Sequence, residues 1–461
     1  MLNACINGNG DLFSEIKKTR KTTPIIASTI DGTSHCIEEH FMRTYKALYN
    51  CTDDKDDIQR LDDEIKQKIN CSDARDVKKV NAGILKEASN RLKNGKSDPT
   101  YLFSSDCIKN APDILFDHLS VIIRSFLYHG HVTVFLLIAT LVPIIKNKLG
   151  SISSSKNYRS IAISSLVLKI FDWVTLLLFG TTLKLDDLQY AYQSNSSTTM
   201  CTWFVVETVD YFLRNGSDVF TCQTDMSNAF DMVRHSLLFR KLLDCGFSRI
   251  FLRIFIFIYS FQFANVRWNG AFSNIFRLCN GVRQGVILSG ILYCFYVNEI
   301  FESLRRRKLG CWINSNFHGM AGYSDDNWIL APSIDGLQEM LSIIEKFCIP
   351  HNLKFSTDPD PQKCKTKCVA FLRRQRHLPA VFLCGNRLPW VDHGVHLGNY
   401  FSNSDSAMKK DVVTKRAIYV QKNCELEQEF SFADPRTKIM IKLSFYGLPF
   451  MGFIWEGSRS I

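Results

Sequence analysis

Along the middle of the chain, segments whose apolar residues have helical spacing alternate with segments whose pattern is extended. Intervals of three and four residues, typical of buried helix faces, occur at residues 77–92, 114–127 and 166–178. Short runs rich in β-branched and aromatic residues lie between the helical segments and predict strands. Because helices and strands alternate within one dense stretch, from about residue 76 to 370, the pattern predicts an α+β fold.

The segments on either side of this stretch are more polar. Residues 1–75 are mixed in charge, include the acidic run DDKDDIQRLDDE, and predict a linker of helices and loops with little core of its own. Beyond residue 371 the chain becomes basic, and FLRRQRH carries Arg373, Arg374 and Arg376. A last helical pattern at residues 408–429 leads to an aromatic-rich end.

The longest apolar run is VTVFLLIATLVPII at residues 132–145, and it is the chain's candidate for a membrane segment. It is shorter than the roughly 20 residues that span a bilayer, and it contains Pro143. We therefore expect the end of a buried helix followed by a strand, and no membrane partner.

Three carboxylates lie where the pattern predicts the ends of strands. Val219–Thr224 has an extended pattern, Asp225 follows it, and a helix is expected to begin near Ser227. The later segment HGMAGYSDDNWILA predicts two short strands joined by a tight turn that holds Asp325 and Asp326. Adjacent acids in apolar surroundings repel each other and lose hydration, so their arrangement needs a compensating partner.

A pair of Mg²⁺ ions would supply that partner. Magnesium prefers hard oxygen ligands, and two ions about 3.5–4 Å apart stabilise both the attacking and the leaving oxygen of phosphoryl transfer. Mn²⁺ is the alternative ion. Two acids in a turn are more often part of a solvated loop, so this pattern by itself does not establish a metal site.

A glycine-containing segment between the acids favours an anionic ligand. In NGVRQGVILS, Arg283 and Gln284 lie between Gly281 and Gly285, ahead of a helical apolar pattern. Glycine permits close backbone approach, and the start of a helix favours a phosphate or a template backbone.

A predicted hairpin upstream carries two cations. The segments LVPIIKNK and NYRSIAISS read as apolar strands joined by a serine-rich loop, with Lys146 on the first and Arg159 on the second. Single basic residues are usually solvated surface, so this signal is weak when taken alone.

Composition is consistent with a large intracellular protein that binds a polyanion. The chain has 461 residues, of which 46% are hydrophobic, so it can bury a large core in two or three domains. Its 56 Lys and Arg outnumber 45 Asp and Glu, giving a formal charge of +11. Its 16 cysteines, without a signal-peptide pattern, predict reduced thiols. Candidate zinc ligands are Cys364, Cys368, Cys384, His393 and His396, but the CxxxC spacing does not favour a zinc site.

Taken in order, these motifs resemble the reverse transcriptase of non-LTR (LINE-type) retrotransposons. The family's blocks are represented by LVPIIKNK with NYRSIAISS, TDMSNAFD, NGVRQGVILS, GYSDD, LKFSTDPDPQKCKTKCVAF and HLGNYF. The resemblance covers roughly residues 76–405, and the shared order is far more specific than any single block. It implies a right-hand polymerase, whose parts would be an N-terminal linker at 1–75, fingers at 76–215, a palm with an antiparallel sheet at 216–405, and a truncated helical thumb at 406–461.

The resemblance also implies roles for the charged residues. Asp225 and Asp325 would bind both Mg²⁺ ions, and Asp326 would assist the geometry and charge of the site. Lys146 and Arg159 would hold the triphosphate of the incoming nucleotide, a task suited to a bidentate guanidinium.

Further roles follow from matching positions in the other blocks. Phe230 would exclude a 2′-hydroxyl and so select dNTPs, although by itself it could equally be a helix core residue. Gln284 and Gly285 would contact the nucleotide and the template, and HLGNYF would lie under the primer end. Lys365 would protonate the leaving pyrophosphate, with Lys363 left open as the alternative.

The implied partners are an RNA template, a DNA primer and dNTPs, in the nucleus or in a cytoplasmic ribonucleoprotein. Ser324 and Gly290 stand where the family usually has alanine and proline, and both are small enough to be tolerated. The sequence carries no block of the endonuclease that usually precedes this enzyme, so we expect the priming nick to come from an endonuclease in trans.

Two other functions remain as alternatives. The first is a catalytically idle, nucleic-acid-binding relic of such an element. The second and weaker one is a viral RNA-dependent RNA polymerase, which Phe230 argues against because its ring would clash with the 2′-hydroxyl of an rNTP.

Overall fold

The structure, a computed structural model, describes residues 27–52, 54–99, 103–147, 150–282 and 285–402, together with part of 413–439. Two compact units are distinguished along the chain. One is Ile26–Trp390, and the other contains the described residues from Val391 onward.

Helices form where apolar residues recur every three or four positions. They are α1 (Ile37–Leu48), α2 (Lys55–Lys68), α3 (Cys71–Lys79), α4 (Ala82–Asn90), α5 (Ser105–Lys109), α6 (Ile114–His129), α7 (Leu166–Phe179), α8 (Thr198–Arg214), α9 (His235–Asp244), α10 (Arg249–Ser260), α11 (Ser289–Val297), α12 (Glu299–Arg306) and α13 (Ile334–Cys348).

Strands occupy the intervening segments. They are β1 (Ile138–Ile145), β2 (Tyr158–Ile163), β3 (Val219–Thr224), β4 (Phe263–Trp268), β5 (Ala271–Phe272), β6 (Phe276–Arg277), β7 (Trp312–Ile313), β8 (Asn316–Phe317), β9 (Met320–Tyr323), β10 (Asp326–Ala331), β11 (Lys367–Phe371), β12 (Val381–Leu383), β13 (Asn386–Leu388), β14 (His393–His396) and β15 (Asn399–Ser402).

An antiparallel sheet of β11-β3-β10-β9 forms the centre of the larger unit. Its inner strands are largely buried on both faces, and Trp328, Ile329 and Leu330 of β10 are fully buried. Helices α8 and α13 pack against this sheet, which explains why β3 and β10 do not alternate between buried and exposed residues.

A second, mixed sheet has the strand order β2-β1-β4-β5, with β6 also paired to β4, and its strands lie on both sides of β3 in the sequence. Strand β1 is antiparallel to β2 and parallel to β4. Phe41 of α1 packs 5.2 Å from both Tyr158 and Trp268, measured between ring centroids. Residues of the N-terminal polar segment therefore contribute a buried aromatic cluster to this sheet.

The α+β class and most predicted elements are confirmed. The patterns at 114–127 and 166–178 form α6 and α7, whereas the pattern at 77–92 is divided between α3 and α4. The division falls at Asn81, whose side chain accepts a hydrogen bond from the Ile84 amide and so begins a new helix. Residues 134–137 form a 3₁₀ turn that leads into β1. Among the described residues, no helix is both long and apolar enough to cross a membrane.

Candidate active site

The pairing of β3 brings together acids that lie about a hundred residues apart. In the antiparallel register, Thr224 faces Asn327, so the next positions along the two chains are Asp225 and Asp326. On the other side of β3, Lys367 faces Gln223, and continuing that register by two positions places Lys365 beside Asp225. The Lys365 Nζ lies 3.9 Å from Asp225 Oδ2. One end of the sheet therefore collects two acids and a lysine from three different strands.

The backbone of Asp225 is fixed by hydrogen bonds on both sides. Its amide donates to Thr366 Oγ1 at 3.2 Å, and its carbonyl accepts from the Ser356 amide at 2.8 Å. The predicted helix after this residue is interrupted, because Asn228 has a left-handed φ of 51° and a 3₁₀ turn at Ala229–Met232 precedes α9. This irregular turn directs the residues around Phe230 toward the end of the sheet.

The two adjacent acids have different backbone positions. Asp325 lies in the two-residue turn with Ser324, whereas Asp326 is the first residue of β10 and pairs with Tyr323. Ser324 has a φ of 65°, a conformation that L-residues other than Asn and Asp seldom adopt. The prediction that both acids occupy the turn is therefore correct for Asp325 and wrong by one position for Asp326.

Gln189 stabilises this strained turn, and the sequence motifs did not identify it. Its side chain is fully buried, its Oε1 accepts from the Ser324 amide at 2.8 Å, and its Nε2 donates to the Ser324 carbonyl at 3.4 Å. Because Gln189 pairs with both the backbone amide and the backbone carbonyl of Ser324, it fixes the turn and thereby the position of the next residue, Asp325.

Electrostatics couples the three carboxylates. Desolvation is the main cause that raises the pKa of Asp325, and the charge of Asp225 adds to it. Desolvation, followed by the charges of Asp325 and Asp225, raises the pKa of Asp326 to about 6. The positive charge of Arg159 lowers the pKa of both acids and so opposes these shifts. The acids thus repel one another across the end of the sheet, as the sequence analysis anticipated.

The predicted cations face this acidic end from the hairpin of β1 and β2. Ile144 is the register partner of Arg159, and the Lys146 amide donates to the Asn157 carbonyl at 2.7 Å. Lys146 thus follows β1 directly rather than lying within it. Partial desolvation lowers the pKa of Lys146, with further lowering by Arg159 and Lys365, while Asp231 and Asp225 oppose the shift.

The two lysines left open by the sequence have different neighbours. Lys365 approaches Asp225 and has a 70% exposed side chain, so its ammonium is accessible to a ligand. Lys363 lies 3.4 Å from Asp360, its ion-pair partner.

Phe230 and Gly285 are both fixed by close tertiary contacts. The Phe230 ring stacks on Tyr293 of α11, with centroids 4.6 Å apart and planes inclined by 26°. Gly285 has a φ of 97°, and a Cβ there would lie 3.0 Å from the Ala162 carbonyl of β2, so glycine is required for this close approach. Gln284, predicted to contact the nucleotide, and its neighbour Arg283 lie outside the described residues.

Gly290, noted in the sequence as a departure from the expected proline, is covered by an aromatic ring. A Cβ at this position would lie 2.1 Å from the ring of Tyr192. Tyr192 itself is 53% exposed and has a φ of 59°. The Tyr192 ring therefore occupies the space that a side chain at Gly290 would need.

A buried acid next to Phe230 was also missed by the sequence motifs. Asp231 is 4% exposed, and burial raises its pKa to about 6 despite a hydrogen bond from Tyr49 and the nearby charge of Lys146. Tyr49 comes from the N-terminal segment, so no local pattern connects these residues.

Asp231 should make the stability of the protein depend on pH. An acid whose pKa is raised by folding contributes stability below its unfolded value, 3.8, and loses that contribution as pH rises through its folded value, about 6. Relative to Asp231→Asn, which cannot titrate, the native chain should lose about 3 kcal/mol of unfolding free energy between about pH 4 and pH 7. Denaturant unfolding of both proteins across this range measures the difference, and a constant difference would contradict the prediction.

Among the described residues, no three or more His, Cys, Asp or Glu side chains converge closely enough to hold a metal ion by themselves. Mutual repulsion of Asp225, Asp325 and Asp326 accounts for their not converging on one point. Magnesium commonly binds one or two carboxylates and completes its coordination shell with substrate phosphates. The donor set is therefore of the type that fits such an ion together with its substrate.

The remaining predicted regions belong to the smaller unit. The segment HLGNYF contributes to the hairpin of β14 and β15, in which His396 pairs with Asn399. The described residues of the helical pattern at 408–429 are helical. Lys409, Lys410 and Lys415, which belong to the basic C-terminal region, lie outside the described residues.

Comparison with known protein families identifies the class to which this fold and site belong. Residues 145–389 match the family described as "Reverse transcriptase (RNA-dependent DNA polymerase)". The match covers more than half of the 461 residues and includes β2 and all strands of the four-stranded sheet. The chain belongs to this reverse transcriptase family and has its right-hand polymerase fold.

As a member of this family, the protein is an RNA-directed DNA polymerase. Its substrates are accordingly an RNA template, a primer and dNTPs, and enzymes of this family generally use divalent metal ions. This assignment removes the viral RNA-dependent RNA polymerase as an alternative.

Proposed function

We propose that this enzyme is the reverse transcriptase of a non-LTR (LINE-type) retrotransposon, and that it extends a primer at the end of the four-stranded sheet. The proposal is supported above all by the register of β3, which brings Asp225 next to Asp326 on one side and Lys365 on the other. The order of the blocks in the sequence supports the choice of element class.

Asp225, Asp325 and Asp326 would hold the metal ions, which we propose to be two Mg²⁺, with Mn²⁺ as an alternative. When bound, the ions lower the pKa of the primer 3′-hydroxyl and neutralise charge at the α-phosphate and the leaving pyrophosphate. The raised pKa values of Asp325 and Asp326 support this role, because carboxylates that repel each other gain most from a shared cation.

The basic residues would act on the triphosphate. Arg159 and Lys146 would hold its β- and γ-phosphates from the fingers hairpin, since their charges already act on the acids of the site. Lys365 would donate a proton to the departing pyrophosphate. Its position 3.9 Å from Asp225 favours it over Lys363, which is paired with Asp360.

The wider organisation is proposed on the same resemblance. We assign fingers to residues 76–215, a palm to 216–405 and a thumb-like region to 406–461, after a linker at 1–75. The site of action would be the nucleus.

Primer extension on an RNA template separates this proposal from the alternative of an idle relic. The purified chain with Mg²⁺ and dNTPs should extend an annealed DNA primer to the end of the template. Failure to incorporate with either Mg²⁺ or Mn²⁺, by a chain that is folded and binds the duplex, would favour the relic.

Metal binding should also be visible without turnover. Adding Mg²⁺ should raise the melting temperature by a few degrees, because an ion that binds the folded state stabilises it by mass action. The rise should be larger at about pH 7.5 than at about pH 5.5, since protons compete for Asp326, whose pKa is about 6.

Two variants control this measurement. Asp325→Asn should abolish the Mg²⁺-dependent rise, whereas Asp335→Asn, which removes an exposed acid just after β10, should keep it. An equal rise in the native chain and in Asp325→Asn would place the bound ion elsewhere.

A further inference from the structure

A hydrogen-bonded tyrosine from the N-terminal segment lies between the two halves of the proposed nucleotide site. Tyr49 follows α1 and is 1% exposed. Its hydroxyl donates to Asp231 Oδ1 at 2.5 Å and lies 3.0 Å from Ser160 Oγ. The three residues come from segments that are distant in sequence.

Each contact of this tyrosine adjoins a residue of the proposed site. Asp231 directly follows Phe230, in the turn that leaves the four-stranded sheet. Ser160 directly follows Arg159 in β2 and pairs with Pro143 of β1. The Tyr49 hydroxyl therefore joins the strand that carries the proposed phosphate-binding arginine to the turn that carries the proposed sugar-selecting ring.

The backbone around Tyr49 closes the same network. Its carbonyl accepts from the Cys279 and Asn280 amides at 2.8 and 3.2 Å. The Asn280 side chain donates to the Asp231 carbonyl at 2.6 Å and to the Leu48 carbonyl at 3.1 Å. The end of α1 is thus held against the segment that begins NGVRQG.

The charge of Asp231 acts toward the active site as well as toward Tyr49. Lys146 and Asp231 attract each other, and Lys146 is the second proposed phosphate ligand. A buried carboxylate needs hydrogen bonds to keep its charge, and the Tyr49 hydroxyl supplies one. Loss of this donor would weaken the acid's hold on the lysine and free the turn from the hairpin.

We propose that Tyr49 and Asp231 are positioning residues, which set the distance between the cations of the β1–β2 hairpin and the carboxylate end of the sheet. They act through Lys146 and Arg159 and do not touch the nucleotide. The inference rests on the proposed role of these two cations as triphosphate ligands, and it assigns the N-terminal segment a part in nucleotide binding.

The test is a comparison of two tyrosine-to-phenylalanine variants on the same helix end. Tyr49→Phe removes the hydroxyl that joins Asp231 and Ser160. Tyr45→Phe is the matched control, because Tyr45 is equally buried at 5% exposure and its hydroxyl has no hydrogen-bond partner among the described residues. Both changes remove one oxygen from the same aromatic cluster.

Steady-state primer extension gives the readout. Tyr49→Phe should raise KM for dNTP on the order of tenfold, with little change in KM for primer-template, as expected for the loss of a charged hydrogen bond that positions a ligand. Asp231→Asn should raise KM for dNTP in the same direction, and Tyr45→Phe should match the native enzyme. Equal KM values in Tyr49→Phe and Tyr45→Phe, with unchanged melting temperatures, would overturn the inference.

Arg159→Ala distinguishes failure of this inference from failure of the proposed function. If Arg159→Ala raises KM for dNTP and Tyr49→Phe does not, the cations bind the triphosphate but the tyrosine does not position them. If Arg159→Ala leaves KM for dNTP unchanged, the assignment of the cations themselves is wrong, and the positioning role falls with it.

Discussion

Replacing Asp325 by asparagine is expected to reduce dNTP incorporation by at least about a thousandfold, while the chain remains as stable as before. Asparagine preserves shape but removes a metal-binding charge, and the loss of several kcal/mol of transition-state stabilisation corresponds to this factor. Stability should be kept or improved in the absence of metal, because Asp325 and Asp326 repel each other and the variant relieves that repulsion.

Single-nucleotide primer extension at saturating dNTP measures the first effect, and thermal unfolding in chelator measures the second. Asp335→Asn is the control, since it removes one negative charge from the exposed first turn of α13. If Asp325→Asn incorporates nucleotide at close to the native rate, the acids at the end of β3 and β10 are not the catalytic centre.

Replacing Phe230 by valine is expected to lower the preference for dNTP over rNTP by roughly 10- to 100-fold, mainly through gain of rNTP incorporation. The Phe230 ring stacks on Tyr293, which is fully buried at 0% exposure, so it has no room to retreat from a 2′-hydroxyl. Valine is too short to reach the same position, and the steric element against rNTP is lost. The ratio of kcat/KM for a matched dNTP and rNTP reports this effect.

Variants of α11 test whether the stacking of Tyr293 on Phe230 contributes to the preference for dNTP. Tyr293→Leu should shift the ratio in the same direction but by less, because the ring of Phe230 is retained and gains freedom. Tyr296→Leu is the control on the same helix, where the hydroxyl donates to the His351 carbonyl at 2.8 Å. An unchanged ratio in Phe230→Val would show that another group excludes the 2′-hydroxyl.

Local patterns in the sequence were sufficient to predict the strands and the turn that carry the three acids. The run Val219–Thr224 has an extended pattern in the sequence itself, so its strand was predictable without tertiary information, and the acid that follows it lies at the strand end. The hairpin around Ser324 was equally clear, although its exact turn residues were displaced by one. Turn boundaries depend on backbone angles, and a serine at a φ of 65° is not an obvious turn residue.

The supporting residues were not predictable in this way. The side chains of Gln189 and Tyr49 act through hydrogen bonds to partners as far as 135 and 182 residues away in the sequence, so no periodicity or motif points to them. The turn at Asn228 was predicted as part of a helix because its apolar spacing is helical. The backbone at Asp231 instead packs against Gly281, where a Cβ would lie 2.6 Å from the Asp231 carbonyl, and this tertiary contact decides the local conformation.

Strand β3 emerges early in synthesis, but both of its hydrogen-bonded neighbours come late. Thr224 contacts Asn327 across 103 residues, and Thr221 contacts Val369 across 148. Loops of this length close slowly, and until they close β3 exposes two edges of unpaired backbone N–H and C=O groups to self-association. The nascent polypeptide thus has an interval of vulnerability before β11 leaves the ribosome, during which chaperone protection would determine the yield of native enzyme.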